Sequence, residues 1–421
     1  MGYQQGLSGL AAASNDLDVV GNNIANANTV GFKSSTAQFA DVYANSIATS
    51  VNMQIGLGAS LAEVQQSFSQ GTINTTGQAL DVAINGNGFY QMSNNGSITY
   101  SRNGVFNLNK NGFIVDAAGN DLMGYAAGPS GIINTAQTVP LQVPTTNSAP
   151  LATSNITAQL NLNAQAAKPA TATFNPADST SYSYSTAITA YDSLGGTEQV
   201  NMYFVQSAVG QAEAYVTSNG KTTDLGQIAF NSSGQISGST LGTGASALAP
   251  VSLATATNGS GSFTFTTTPT DGSATPQTLT IDFKGTTQYG GASGVNNLAQ
   301  NGYASGTLSN FSIGADGTIT GNYSNGQTMA LGQIVLATFN NPNGLVNLGG
   351  NQFEQTTQSG AAQISTPGST NHGVLQGGAL EQSNVDLTNQ LVDLITAQRN
   401  YQANAQTIKT QQTVDQSLLQ L

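Results

Sequence analysis

The 421-residue sequence predicts a multidomain α+β protein, with paired, coiled-coil-like terminal α-helices and two nested, mainly antiparallel β domains, one inserted into the other. Three observations carry this expectation. Both ends hold apolar residues at alternating spacings of four and three and contain no proline, the first being Pro129 and the last Pro367. Between them the period drops to 2, with Asn-Gly pairs as punctuation. The same strand-and-turn grammar then returns after a central stretch of different composition.

Near the start, Tyr3, Leu7, Leu10, Ser14, Leu17, Gly21 and Ile24 form a heptad-like stripe, widened by Ala11, Ala12, Ala13 and Val20. It fades in the Asn-rich run after Ile24 and stops by Gly31. At the other end Leu387, Leu391, Leu394, Gln398, Tyr401, Ala405, Ile408, Gln412, Asp415 and Leu419 keep the alternation. Ser383 followed by Asp386 resembles a capping box, so the helix is expected from Ser383 to Leu419, about 55 Å at ~1.5 Å per residue. A helix of that length and its shorter partner have too little chain of their own to bury a stripe along the whole axis. Neighbouring copies can supply the missing surface, and head-to-tail contacts that do not close give a helical filament. Periodicity alone also fits two helices that simply bury each other or pack on a β domain.

Residues 80 to 125 read as successive hairpins around Asn85-Gly86, Asn95-Gly96, Asn103-Gly104 and Asn111-Gly112. Similar signals recur at Asp316-Gly317 and Asn325-Gly326, followed by the apolar run Ile334 to Phe339. The expected division is a terminal helical domain (1–28 and 380–421), an extended connecting segment (29–70), a discontinuous β domain (71–146 and 304–379) and an inserted outer β domain (147–303). Prolines from Pro129 to Pro176 mark an extended approach to the insert, and the Ser/Thr/Gly/Ala tract from Asn231 to Ser262 reads as loop-rich.

Composition narrows the function. Eight Lys and Arg against 20 Asp and Glu give a net charge of −12, too few cations for a nucleic-acid interface. No cysteine and one histidine argue against thiolate chemistry, iron-sulfur clusters and the usual zinc sites, and no cofactor is expected. His372 lies in a loop-like Ser-Thr-Asn-His-Gly context and reads as solvated or locally hydrogen-bonded. Asp16 and Asp18 point to different helix faces, and Asp116, Asp121, Asp178, Asp192 and Asp224 match no calcium loop. A secreted carbohydrate-active enzyme or adhesin is the alternative of a different class, but the chain has no tryptophan for a sugar platform. No stretch suits membrane insertion, and the first residues lack the pattern of a secretory signal.

The terminal segments resemble the bacterial flagellar axial family of rod, hook and junction proteins. Leu7 to Lys33 is similar to its N-terminal signature, with Asn22, Asn23, Ala25, Asn26, Gly31 and Phe32 in matching places. Gly378 to Leu387 and Ala397 to Gln411, with Gln398, Arg399 and Tyr401, are similar to its C-terminal signature in the hook form. Leu80–Tyr90, Tyr100–Phe106 and Tyr323–Ala337 also look like that branch, a distal rod protein being the alternative within the family. The resemblance implies a structural, non-enzymatic subunit. It would self-polymerise into a tubular, flexible universal joint that transmits motor torque, in the extracellular hook attached to the basal body. Implied partners are a rod protein at the proximal end, a hook-filament junction protein at the distal end, a hook cap protein during assembly, and the type III export apparatus, which needs no cleavable signal. The polymer interface is expected at Leu7, Leu10, Leu17, Ile24, Leu387, Leu391, Leu394, Tyr401, Ala405 and Ile408. Thr29 to Gly71, including Phe32, Phe39, Tyr43 and Phe68, would stiffen the joint, with Ser50 to Gly58 controlling its rigidity.

Overall fold

The computed structural model describes residues 2–42, 56, 58–240, 252–253, 255–257 and 261–419. Tyr43, most of Ser50 to Gly58 and much of the tract from Asn231 to Ser262 lie outside these residues. The chain divides into two compact units, one comprising Met1–Thr145, Ser309–Asn322 and Thr328–Leu421, the other Thr146–Leu308 and Tyr323–Gln327.

In the first unit, helix α1 (Gly2–Ala25) packs antiparallel to helix α2 (Leu387–Leu419) and against a hairpin of strands β1 (Ser35–Val42) and β2 (Gly58–Gln66). The 29–70 segment is therefore partly a two-stranded ribbon. Helix α2 starts four residues later than the capping-box reading places it. Asp386 is the cap, its Oδ1 accepting from the backbone N of Thr388 at 2.9 Å and of Asn389 at 3.3 Å, whereas Ser383 Oγ accepts only from Val385 N. A carboxylate at this position also complements the partial positive charge of the helix N-terminus.

The rest of this unit is built on a 13-stranded sheet in which both halves of the sequence interleave. Its main path runs Leu308–Ile313, Thr318–Tyr323, Thr328–Ile334, Asp121–Ala126, Phe89–Asn94, Ser97–Ser101, Gln352–Glu354 and Val346–Gly349, so strands from before the insert lie between strands from after it. Phe89, Tyr100, Phe339 and Phe353 form an aromatic core on which Phe68 packs edge-on. Two small ribbons, Ile73–Thr75 with Ala379–Glu381 and Val82–Asn85 with Val374–Gly377, tie the start of the β region to the approach to α2.

Not every Asn-Gly pair is a hairpin turn. Asn95 and Gly96, both at positive φ, close the Phe89–Asn94/Ser97–Ser101 hairpin, and Asn111-Gly112 joins paired strands. By contrast, Val82–Asn85 pairs with Val374–Gly377, so Asn85-Gly86 carries the chain between sheets. At Asn103-Gly104 the glycine is needed for close approach, since a Cβ there would clash with Val82 O.

The second unit is two sheets around one core: Thr255–Thr257, Ser262–Thr267, Gln277–Asp282, Asn155–Asn161 and Gly294–Gln300 in one, Tyr184–Tyr191 through Ile236–Thr240 in the other. Phe204, Phe263, Phe283, Met202, Ile156 and Leu160 are buried together, as the period-2 pattern requires. Asn155–Asn161 is an interior strand of this core, which corrects the reading of the whole proline-flanked stretch as connector. Phe204→Ala should destabilise this unit by about 3–5 kcal/mol in urea unfolding, whereas truncating the exposed Val209 should change little.

Candidate functional site

Two features of the first unit bear on assembly: the surface between and around α1 and α2, and the point where both helices join the β region. Gly6, Gly9, Ala13, Asp16, Val20 and Asn23 recur along α1 at heptad spacing, each one residue before a position of the predicted stripe. A Cβ at Gly9 would lie 2.6 Å from Asn404 Oδ1 and one at Gly6 3.0 Å from Ile408 Cγ1, so the glycines permit a close approach to α2. At the other end of the pair, Asn23 Nδ2 donates to Gln390 Oε1 at 3.0 Å. Ala13, Val20 and, on α2, Ala397 are buried along this seam.

The predicted stripe is thus rotated by roughly 100°, one residue's turn, from the seam α1 presents to its own partner. Leu10, Leu17 and Ile24 are half-buried, while Leu7 is 53% exposed. On α2, Leu394, Ala405 and Ile408 are half-buried, whereas Leu387, Leu391 (50% exposed) and Tyr401 face outward with Val392, Ile395 and Val414. The paired helices therefore meet largely through small and polar residues, with Val20 and Ile408 the large apolar members of the seam, and leave Leu7, Leu387, Leu391, Val392 and Ile395 outside, unlike a self-contained coiled coil. Gln398 and Arg399 are also exposed.

The second feature is a buried charge cluster. Glu381 Oε1 accepts from Lys33 Nζ at 2.7 Å and Gly71 N at 2.9 Å, and its Oε2 accepts from Arg102 Nη1 at 3.2 Å. Lys33 and Glu381 side chains are 0% and 1% exposed. Lys33 also donates to Ser69 O and Arg102 to Gly86 O, with the guanidinium 5.5 Å from the Phe89 ring centre. Burial, then the neighbouring Arg102, pushes the Lys33 pKa down, while Glu381 opposes both. The same burial lowers Arg102, again opposed by Glu381.

The Asn-rich signature folds around this cluster. Asn23 exchanges two hydrogen bonds with the backbone of Ser35 (2.7 and 2.9 Å), acting as a backbone partner at the start of β1. Asn26 accepts from Thr29 Oγ1 and donates to Asn22 O, closing the turn after α1 near the exposed Ala25. Gly31, at φ +70°, donates to Glu381 O at 2.8 Å and passes so near Asn103 N that a Cβ would sit 2.8 Å away. Beyond the half-buried Phe32, Asn384 accepts from Ser34 N and donates to Ser67 O. Sequence reasoning gave no role at this junction to Lys33, Arg102 or Glu381, and it read Asn384 as part of the outer face of α2, whereas Asn384 precedes that helix and binds the connecting segment. Their signal was present: each lies inside a family-like stretch, and in so sparsely charged a chain three charges there are conspicuous.

His372 is held in its loop, Nδ1 lying 2.9 Å from Thr370 O and Nε2 3.0 Å from Gln363 O. Among the described residues no three His, Cys, Asp or Glu side chains converge to hold a metal, and no helix is long and apolar enough to cross a membrane.

Models of known families match along the chain: flagella basal body rod protein at 4–33, flagellar hook protein FlgE/F/G D1 domain at 83–160, flagellar basal body protein FlaE D2 domain at 161–303, and flagellar basal body rod FlgEFG protein C-terminal at 376–421. The chain is 40% identical over 434 residues to the flagellar hook protein FlgE of Salmonella typhimurium, covering 100% of both. The chain belongs to the flagellar hook protein family. Identity to the hook protein of Escherichia coli K12 is also 40%, over 429 residues and the whole of both chains. The hook protein of Treponema pallidum is 32% identical over 458 residues, covering 99% of this chain and 98% of that one. This hook-family chain is accordingly a structural subunit of the flagellar hook, in the setting of the basal body.

Glu381→Gln should cost about 3–5 kcal/mol in urea unfolding of the intact chain, because two buried cations lose their anion. Asp16, at the helix seam, has its pKa raised by burial and then by Asp393. A raised carboxyl favours the protonated form in the folded state, so the penalty exists above the folded pKa and fades as pH falls through it. Asp16→Asn should stabilise the helix pair at neutral pH and remove its gain on acidification, read by circular dichroism against pH.

Proposed function

We propose that this hook subunit polymerises through the outer faces of α1 and α2 into a tubular, flexible universal joint that transmits motor torque. Carrying the reading is the outward set of Leu7, Leu387, Leu391, Val392, Ile395 and Tyr401 on helices already paired through small residues. Large apolar side chains on a helix that has already met its partner gain only if another molecule covers them. Leu10, Leu17, Ile24, Leu394, Ala405 and Ile408 flank that surface and complete the proposed interface.

The buried cluster at Glu381 passes load from helices to β region, since Lys33 after α1, Gly71 after the connecting ribbon and Arg102 at the end of a sheet strand all donate to Glu381, which lies just before α2. The connecting segment, with Phe68 seated on the aromatic core, stiffens the joint. Outer surfaces of uncharged polar residues slide past one another with little electrostatic penalty as the tube bends. A rod protein below, a junction protein above, a hook cap protein during growth and delivery by the flagellar type III apparatus complete the setting, as the family relationship suggests. Outer portions of both helices order as the polymer forms, because their apolar faces lack cover in the single chain.

Leu391→Asp should give a folded subunit that no longer pellets as polymer, since an unpaired carboxylate cannot be buried cheaply. A variant that polymerises as the parent does would refute the assignment.

A further inference from the structure

The polymer reading leaves open which polar contacts set the register between copies, and Arg399 supplies one. Among the described residues the ion pairs are those of Glu381 with Lys33 and Arg102, and Arg399 makes none. Its neighbours one helical turn away, Ile395, Thr396, Gln402 and Ala403, offer no carboxylate. Ala397, two residues before it, is buried at the seam, so Arg399 stands on the opposite side of α2, facing away from α1. Val392 and Ile395, 58% and 50% exposed, share that face with it at spacings of three and four. An unpaired arginine amid exposed apolar side chains has the composition of an interface centre.

The complementary charge lies elsewhere on the same helix pair. Asp393 of α2 lies beside the seam, since its Oδ2 accepts from the Gln390 amide at 3.2 Å and Gln390 in turn accepts from Asn23 of α1 at 3.0 Å; Asp16 of α1 lies on the same face of its helix two turns before Asn23, and burial, then Asp393, raises its pKa. Arg399 of the same chain cannot answer them. It is six residues on from Asp393, about 9 Å along the axis at ~1.5 Å per residue, and on a different face. Donor and acceptor on different faces of one helix pair describe a heterologous contact, the kind that propagates instead of closing.

Resting on the polymer reading above, we propose that Arg399 of one subunit binds the Asp16 and Asp393 carboxylates of a second copy and fixes the register of the helix layer. Guanidinium is suited to this, because its planar fork can serve two carboxylates at once. The other cation of the two helices, Lys409, lies ten residues further along α2 and presents a single point charge.

The test is seeded polymerisation of the full chain, read by ultracentrifugal pelleting and electron microscopy, with circular dichroism to confirm folding. Arg399→Asp and the milder Arg399→Gln are expected to lower polymer yield at least tenfold, and Asp393→Arg combined with Arg399→Asp to restore much of it. Wild-type yield from Arg399→Asp, or equal rescue when Asp393→Arg is combined with Lys409→Asp, would overturn the proposal. Either failure is separable from failure of the polymer reading, because Leu391→Asp tests that reading without touching a charge pair.

Discussion

The first unit depends on one buried carboxylate. Glu381 is where the chain leaving α1, the segment returning to the β region and the approach to α2 are bound to each other, through Lys33, Gly71 N and its own backbone carbonyl to Gly31. Arg102 anchors the same carboxylate to the sheet. Such a cluster contributes little net stability over an apolar core of the same shape, because desolvating three charges offsets their attraction. What it contributes is uniqueness, since any other docking of these segments would leave a charge buried without its partner. In a chain with only 28 formally charged residues, placing three of them here makes the junction between helices and sheet the most strongly specified point of the unit.

From that junction the helices run out together, and their pairing divides the labour between two faces. Gly6 and Gly9 bring α1 within reach of Asn404 and Ile408, so the inner seam is narrow where the glycines lie. Leu7, Leu387, Leu391, Val392 and Ile395 are turned outward, where other molecules can cover them. A glycine seam weakens an isolated helix, at about 1 kcal/mol per glycine relative to alanine, which fits helices whose support comes from assembly.

Much of this was legible in the sequence. The two helices, the return of the strand grammar after the insert, and the alternating strands with Phe204, Phe263 and Phe283 at their centre all follow from periodicity. The family-like stretches located the segments that meet at Glu381. The seam between the two helices had no signal in the apolar pattern, because hydropathy gives no weight to glycine, and the contact at Gly6 and Gly9 is backbone approach. Local turn chemistry misled at Asn85-Gly86, where pairing with Val374–Gly377, nearly 300 positions away, decides the path. The same holds for the start of α2: Ser383 had the right spacing, but Asp386 is the residue whose carboxylate reaches the free amides. Long-range pairing, unlike period or capping, leaves no local trace, and Lys33 with Glu381 is an instance separated by most of the chain.

The central claim is that each subunit pairs its own helices through the small-residue seam and offers the large apolar face to its neighbours. An electron cryo-microscopy map of the assembled polymer at side-chain detail tests it most directly. The account predicts Gly9 against Asn404 of the same chain, with Leu7, Leu391 and Ile395 covered by adjacent copies. A map in which those three side chains face water, or in which α1 and α2 of one chain are apart, would contradict it.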